Sequence, residues 1–276
     1  MKQPTDIKSC CARLYESDFV RLLLGDSFHP GGLKLTSRLG ELLKLGPHAR
    51  VLDVACGQGV SAIHIADAFG CEVVGIDYSN ENVARANQSA RKRGVYERVR
   101  FERGDSERLF FDDRSFDAII CECAFCTFPD KAGAAREFIR VLKQGGRVGL
   151  SDISRAVELP ADLKTLMAWV ACIADAQPAE AYAGLLADAG FRIDCIENHD
   201  DALKEMVNQI RMKLLGLEIA VALEKLKLPD IDLSAAKQLS ASALQAISRG
   251  QLGYAIVVAM KPPSVRGGDG NRRSRS

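Results

Sequence analysis

Three aspartates and two glycines in the sequence could together bind one ligand. Asp53, Asp77 and Asp105 each lie within or just after a short apolar segment, and these segments follow one another along the chain. Gly57 and Gly59 come shortly after the first segment, where glycine lets the backbone turn tightly and approach a ligand. An acidic residue about 20 positions beyond such a turn accepts hydrogen bonds from ribose hydroxyls, so we expect Asp77 to bind a ribose. Asp77 also disfavours NADP as the ligand, because the negative charge of its carboxylate would repel the 2′-phosphate.

Cysteines form a second group with distinctive chemistry. Cys121, Cys123 and Cys126 lie in IICECAFCTFPDK, and Cys172 lies in AWVACIADA. Thiolates bind soft metals and metalloids, whereas small buried cysteines can also line a pocket for an organic acceptor. A structural zinc site needs four ligands, one more than the C-x-C-x-x-C segment supplies.

The chain has nine cysteines in all, an odd number that cannot pair completely. The N-terminal sequence MKQPTDIKSC has no apolar run, so we predict no signal peptide and a cytoplasmic, reducing location in which the thiols stay reduced. Packing in the core is the expected role of three of the cysteines: Cys56, Cys71 and Cys195.

The intervening residues predict alternating strands and helices. Strands are predicted at 51–55, 72–76, 98–103, 116–121, 147–151, 191–196 and 253–260. Helices are predicted at 59–69, from the N-cap Ser79 to about Arg93, from Pro129 to Gly145 and Gly146, at 162–174, at 179–189 and over roughly 200–249 with a break at Pro229. This alternation predicts an α/β fold with a doubly wound, mostly parallel seven-stranded sheet. A helical insertion precedes the last strand, which we expect to lie antiparallel at the edge of the sheet.

Charge and length exclude several classes of partner. With 37 Lys and Arg against 36 Asp and Glu, the formal charge of +1 provides no field for nucleic acid or an anionic membrane. The longest apolar stretch, at 166–174, is far shorter than the roughly 20 residues that span a bilayer. We therefore expect neither nucleic acid nor membrane as a partner, and a small molecule or metalloid as the acceptor. The sequence does not indicate an oligomeric state.

Several ordered motifs resemble those of the class I S-adenosylmethionine-dependent methyltransferases. VLDVACGQG resembles the first motif of that family, GIDYS the second, and RGDSERLFFDDRSFDAI the third and fourth. The resemblance covers most of residues 28–155 and implies a Rossmann-like fold with S-adenosylmethionine as cofactor. The segment FHPGGLKLT, residues 28–36, resembles the one that closes over the methionine carboxylate through backbone amides near Gly31, Gly32 and Thr36.

The resemblance also implies roles for individual residues. Asp53 and the backbone at Ala55 and Gly57 would face the methionine end, and Asp77 would bind the ribose. The predicted contacts to adenine come from Tyr78, Asp105 and Ser106, and the predicted cofactor-binding set also includes Gly59 and Cys121.

The cysteine segments resemble those of arsenite methyltransferases. In that family, a cysteine precedes a Pro-Asp-Lys, as Cys123 precedes Pro129, and a second follows a tryptophan, as Cys172 follows Trp169. The resemblance implies catalytic roles for both cysteines in holding trivalent arsenic, whose lone pair can attack a methyl group without a general base. Relatives carry a further cysteine upstream of the first motif, for which this chain offers Cys10 and Cys11.

These features divide the chain into five parts. Residues 1–49 are predicted to form an N-terminal helical cap, 50–198 the cofactor-binding core and 199–250 a helical insertion or lid. The last strand of the core is expected within 251–261, and 262–276 is predicted to be a disordered tail.

Three alternatives remain open. The enzyme could methylate a small organic acceptor at carbon, oxygen or sulfur, or the chain could bind the cofactor without catalysis and regulate a partner. A nicotinamide-dependent dehydrogenase is disfavoured, because the spacing of Gly57 and Gly59 departs from G-x-G-x-x-G and Asp105 suits an adenine amino group.

Overall fold

The computed structural model describes residues 22–23, 25, 28–159, 163, 172–222 and 232–263. Several predicted features lie outside these residues: Cys10, Cys11, most of the helix at 162–174, the break at Pro229 and nearly all of the C-terminal tail.

The described residues form seven strands and seven α-helices, which alternate along most of the chain. The strands are β1 Arg50–Val54, β2 Glu72–Asp77, β3 Val99–Arg103, β4 Phe116–Glu122, β5 Leu142–Arg155, β6 Arg192–Asn198 and β7 Leu252–Met260. The helices are α1 Gly32–Leu42, α2 Val60–Phe69, α3 Asn80–Arg93, α4 Lys131–Val141, α5 Ala179–Asp188, α6 Asp200–Ala222 and α7 Leu233–Ser248. Among the described residues, none of these helices is both long and apolar enough to cross a membrane.

All seven strands pair in one sheet, in the order β3-β2-β1-β4-β5-β7-β6. The pairs from β3 to β5 are parallel, whereas β7 is antiparallel to both β5 and β6. This sheet confirms the predicted doubly wound α/β fold and the antiparallel direction of the last strand.

The predicted edge position of the last strand is wrong, because β7 lies between β5 and β6. Every residue of β7 is buried, which suits a strand covered by neighbours on both sides. Along β6, half-buried residues alternate with exposed ones, as expected of the edge strand that it is.

Local sequence signals explain where two of the helices begin and end. Ser79 caps α3 by accepting a hydrogen bond from the N–H of Asn82, 3.0 Å away, and Gly94 ends the helix in a left-handed conformation. In α4 the N-cap is Asp130, one residue beyond the predicted Pro129. This helix ends at Val141 rather than at Gly145 and Gly146, because the residues from Leu142 onward join the sheet.

The direction of the parallel strands determines where the chemistry-bearing residues meet. Their carboxyl ends lie at one edge of the sheet, where ligands bind in open α/β folds. Asp77 and Glu122 are the last residues of β2 and β4, and Ala55 directly follows β1.

Candidate active site

A cavity opens where the carboxyl ends of β1, β2 and β4 meet. Its lining among the described residues includes five carboxylates and neither lysine nor arginine; the carboxylates are Asp53, Asp77, Asp105, Glu107 and Glu122. Several negative charges that line one cavity attract a positive charge and repel a negative one. This cavity therefore suits a positively charged ligand better than an anion.

The glycine turn after β1 presents its backbone to this cavity. Ala55, Gly57 and Gly59 all have left-handed backbone, with φ of 57°, 53° and 78°. At Gly59 a Cβ atom would lie 2.4 Å from Cζ of Phe101, so no side chain fits. At Gly57 the nearest atom to a Cβ would be a ring carbon of Phe28 at 3.8 Å, which leaves the backbone open for close approach by a ligand.

Asp77 holds the glycine turn against the end of β2. Its Oδ2 accepts a hydrogen bond from the Gly57 N–H at 2.9 Å, and its Oδ1 accepts one from the Ser79 N–H at 2.8 Å. The side-chain amide of Asn82 donates to Oδ1 at 3.3 Å. Asp77 also lines the cavity, so its carboxylate lies where the predicted contact to ribose would form.

Three buried polar atoms of residues on the cavity lining have no hydrogen-bond partner among the described residues. They are Oδ2 of Asp53, Nε2 of Gln58 and Oδ1 of Asn82. Burial, followed by the nearby charges of Glu122 and Asp77, raises the pKa of Asp53 well above its usual value. Since buried polar atoms normally find partners, Oδ2 of Asp53 and Nε2 of Gln58 suit an ammonium and a carboxylate, the charged groups of an α-amino acid.

The predicted adenine-binding residues lie together on the same lining. Tyr78, Asp105 and Ser106 all face the cavity, and the guanidinium carbon of Arg103 lies 5.6 Å from the centre of the Tyr78 ring. Asp105 accepts a hydrogen bond from the Glu107 N–H at 3.0 Å through Oδ1. A flat aromatic ring beside a carboxylate suits a planar heterocycle that carries an amino group.

In the segment 28–36, the predicted contact of Gly31, Gly32 and Thr36 with a methionine carboxylate stays a prediction. Phe28 and His29 line the cavity, whereas Gly32 begins α1 and Thr36 is buried behind the lining. Thr36 Oγ1 donates to both carboxylate oxygens of Glu122, at 3.1 and 3.2 Å. Nε2 of His29 lies 3.5 Å from Oε2 of Glu122, and both side chains are almost completely buried.

Cys123 and Cys172 meet although 49 positions separate them in sequence. The Cys172 thiol donates to the backbone carbonyl of Cys123, with 3.2 Å between sulfur and oxygen. Both residues have left-handed backbone, with φ of 52° and 60°, a conformation that is rare outside glycine and is concentrated at functional sites. Cys123 also lines the cavity, and Cys172 is buried beside it.

Asp152 lies beside this pair of cysteines. The ligand atoms of Cys123, Asp152 and Cys172 lie within 4.8 Å of one another. Burial raises the pKa of Asp152 to about 7. A hydrogen bond with Cys172, followed by burial, raises the pKa of Cys123, and burial, followed by a hydrogen bond with Cys172, raises that of Cys126. Both shifts favour the neutral thiol forms of Cys123 and Cys126.

An ion pair joins the segment of Cys172 to the start of α4. Lys131 Nζ donates to the carboxylate of Asp175, and also to the Phe128 carbonyl at 3.0 Å. Lys131 is only 13% exposed, so this contact is largely shielded from water. It connects the Pro-Asp-Lys motif physically with the residues that follow Cys172.

The other cysteines are spread over the structure. Cys121 is completely buried in the core and is not among the lining residues, whereas Cys56 faces the cavity. Cys71 lies in the core as predicted, and Cys195 is half-buried on β6. Cys10 and Cys11 lie outside the described residues.

Sequence reasoning missed Glu122, Gln58 and Asp152. Glu122 could have been found, since it ends a strand in the same way as Asp77. Asp152 could not, because its contact with the thiols depends on the pairing of β4 with β5.

Comparison with known proteins places most of the chain in one family. The family described as "Methyltransferase domain" matches residues 45–211. The 27-O-demethylrifamycin SV methyltransferase of Amycolatopsis mediterranei is 28% identical over 89% of this chain and 94% of its own length. Phosphoethanolamine N-methyltransferase 1 of Arabidopsis thaliana is 32% identical over 65% of this chain, which spans only 36% of that longer relative.

A solved structure has the same fold. Phosphoethanolamine N-methyltransferase 2 of Haemonchus contortus, in complex with phosphomonomethylethanolamine and S-adenosylhomocysteine, superimposes with a TM-score of 0.79. The match covers 95% of this chain and 61% of the other, at 20% sequence identity. This level of identity establishes a shared architecture.

Proposed function

Since the chain belongs to the class I S-adenosylmethionine-dependent methyltransferases, we propose that it methylates trivalent arsenic, or a related thiophilic acceptor, held by the thiols of Cys123 and Cys172. The observation that carries this proposal is that the sulfur of Cys172 lies within 4.8 Å of the sulfur of Cys123, which lines the cavity. Cys10 and Cys11 remain candidates for a further ligand.

The residues of the cavity fit the cofactor. Its positive charge suits a lining with five carboxylates, and its amino-acid group suits the unpartnered atoms of Asp53 and Gln58. We assign the ribose to Asp77 and the adenine to Tyr78 and Asp105. When bound, S-adenosylmethionine supplies a methyl group on a positively charged sulfur, which needs no further activation.

The protein's task is therefore to hold the acceptor in line with that methyl group and to exclude water. Cys123 lies on the cavity wall, and Cys172 lies beside it with only 2% of its surface exposed. With the cofactor bound, the arsenic lone pair would form the As–C bond while the electron pair of the S–C bond stays on the cofactor's sulfur, and Cys123 and Cys172 would hold arsenic in line. Arsenic is oxidised from +III to +V in this step, and no proton has to be removed.

Methylation of a small organic acceptor is the second candidate, and two observations favour it. The rifamycin methyltransferase matches over almost its full length. His29 and Glu122 lie on the cavity wall 3.5 Å apart, so either could take a proton from an oxygen, nitrogen or carbon acceptor. For either candidate function, the carboxylates that line the cavity disfavour an anionic acceptor.

A panel of acceptors tests the proposal. The protein is incubated with S-adenosylmethionine and arsenite, a quinone, a sterol or a small thiol in reducing buffer, and S-adenosylhomocysteine is measured. We expect turnover with arsenite. Turnover with an organic acceptor alone would replace the proposal with the second candidate, and cofactor binding without any turnover would indicate a non-catalytic binding protein.

A further inference from the structure

Three side chains that can bind a metal meet at the wall of the cavity. They are Cys123, Asp152 and Cys172, whose two sulfurs and carboxylate oxygen all lie within 4.8 Å of one another. Among the described residues, no other cysteine, histidine, aspartate or glutamate joins this group. Cys123 directly follows β4, Asp152 lies on β5, and Cys172 comes 49 positions after Cys123, so the group forms only when the chain folds.

The spacing of these atoms suits a tetrahedral metal centre. With Zn–S bonds of about 2.3 Å, two sulfurs bound to one tetrahedral ion are about 3.8 Å apart. Because the three ligand atoms already lie within 4.8 Å of one another, they have to approach by only about 1 Å to reach such a geometry. Rotation about side-chain bonds supplies a movement of this size.

Backbone hydrogen bonds orient the carboxylate of Asp152. Its Oδ2 accepts one from the Cys126 N–H, and its Oδ1 accepts one from the Ile153 N–H, both at 2.9 Å. Each oxygen keeps a further acceptor position, because a carboxylate offers about four in all. Carboxylates that bind metals in proteins are themselves hydrogen-bonded in this way. Asp152 is therefore held in place for one further bond.

The cavity gives a cation access to the three side chains. Cys123 lines the cavity, whereas Asp152 and Cys172 are each only 2% exposed. The five carboxylates on the described lining attract positive ions, and it contains neither lysine nor arginine to repel them. A cation that enters the cavity therefore reaches Cys123 first.

We infer that Cys123, Asp152 and Cys172 form a site for a thiophilic divalent cation such as Zn²⁺, whose fourth position is left to an exchangeable ligand from the cavity. Two sulfurs select Zn²⁺ or Cd²⁺ over Mg²⁺ and Ca²⁺, which require oxygen ligands. On binding, two S–H bonds break and their protons pass to solvent, while two metal–sulfur bonds and one metal–oxygen bond form and waters leave the cation. No atom changes its oxidation state. A coordinating thiol loses its proton even where the metal-free protein favours the neutral form.

Cobalt(II) tests the site directly, because its visible absorption reports tetrahedral coordination by thiolates. The metal-free full chain, in buffer with a phosphine reductant, is titrated with Co²⁺ and then with Zn²⁺. We expect one cobalt per chain and its displacement by Zn²⁺, which binds thiolates more tightly. X-ray absorption of the zinc-loaded chain should show two sulfur neighbours; no thiolate absorption and no sulfur neighbour in the wild type would overturn the inference.

Substitutions identify which side chains bind the metal. Cys123→Ser and Cys172→Ser should each leave one sulfur neighbour on zinc and weaken binding roughly 100-fold. Asp152→Asn should keep both sulfurs but bind at least about 10-fold more weakly. Cys195→Ser, a cysteine on β6 outside the group, is the matched control. Thermal unfolding without metal checks that each variant folds, and two sulfur neighbours in both Cys123→Ser and Cys172→Ser would place the metal elsewhere.

The same cation should compete with arsenite, and this consequence rests on the proposed function. Since Cys123 and Cys172 cannot bind both, Zn²⁺ should raise the apparent KM for arsenite and leave kcat unchanged. An unchanged KM at saturating Zn²⁺ would contradict a shared site.

The possible results distinguish the cation site from the proposed function. If zinc binds through both sulfurs but arsenite is not methylated, the cation site stands and the proposed function is wrong. If the zinc-free chain methylates arsenite but the wild type binds no metal through sulfur, the cation site is wrong and the proposed function stands.

Discussion

The Cys172 thiol donates a hydrogen bond to the backbone carbonyl oxygen of Cys123, and both residues have left-handed backbone. The left-handed conformation costs a non-glycine residue about 1–2 kcal/mol of conformational free energy. The surrounding structure therefore has to offset this cost at both Cys123 and Cys172. Ala55, in the turn beside the same cavity, is a third such residue. Strain at these positions supports the assignment of the cavity as the active site.

Replacement of the paired thiols should separate acceptor binding from cofactor binding. In Cys123→Ser and in Cys172→Ser the hydroxyl fits the same space but is a harder, weaker ligand for arsenic. We expect arsenite methylation to fall by roughly 100-fold or more while the cofactor Kd changes by less than about 3-fold. Product formation and calorimetric titration measure the two quantities, and full activity in both variants would refute the roles of these thiols.

The ion pair between Lys131 and Asp175 should position Cys172. Lys131→Met keeps the aliphatic stem but removes the charge, so the segment of Cys172 loses its connection to α4. We expect kcat with arsenite to fall roughly 10-fold, because a small misplacement of a reacting group is costly, and cofactor affinity to stay unchanged. Lys143→Met, which breaks an ion pair with Asp117, is the matched control and should retain wild-type kcat; equal losses in both variants would show a general effect on stability.

The buried carboxyl of Asp53 should lower the stability of the folded protein at high pH, although it contributes to cofactor binding. Its pKa is raised in the folded state, so the folded chain binds the proton more tightly than the unfolded chain does. Stability contributed at Asp53 is therefore lost as pH rises from about 4, the value in an unfolded chain, toward the folded pKa.

Asp53→Asn removes this titration but keeps an oxygen acceptor. Relative to the wild type, we expect it to raise the free energy of unfolding by about 1 kcal/mol or more at pH 8, and by less at pH 5. The increase in Tm on addition of S-adenosylmethionine should shrink in the variant. Urea unfolding at the two pH values and thermal shifts measure these changes; a variant less stable than the wild type at pH 8 would contradict the account.

The two glycines after β1 should differ in their tolerance of a side chain. Gly59→Ala forces a Cβ against the ring of Phe101 in a left-handed backbone, so the free energy of unfolding should fall by about 2–4 kcal/mol. In Gly57→Ala the added Cβ has room, and only the left-handed backbone is unfavourable for alanine. The free energy of unfolding should therefore fall by about 1 kcal/mol. Denaturant titration compares the free energies of unfolding of the two variants. A larger loss of stability in Gly57→Ala than in Gly59→Ala would contradict the role of the Phe101 ring.

Local patterns predicted most of the fold but not every neighbour relationship. The residues of β1 and β2 repeat apolar positions that signal buried strands, and Ser79 and Gly94 mark the ends of α3. The position of β7 between β5 and β6 depends on contacts between distant segments, although its uninterrupted apolar sequence was a usable signal. The glycines at 145 and 146 predict too late an end for α4, because Leu142 already pairs with Phe116 of β4.

The site shows the same division. Asp53, Asp77 and Asp105 could be expected at one edge of the sheet, because parallel strands end together. The contact of Cys172 with Cys123 could be suggested only by family resemblance, and the role of Asp152 only by the pairing of β4 with β5. Tertiary packing decides such contacts.

Transfer of a labelled methyl group tests the central claim most directly. The wild-type protein is incubated with arsenite, a reducing thiol and S-adenosylmethionine carrying a 13C-labelled methyl group, beside Cys172→Ser under the same conditions. We predict that the label appears in a methylarsenic product with the wild type and not with Cys172→Ser. Formation of S-adenosylhomocysteine with an organic acceptor, with no label on arsenic, would contradict the account.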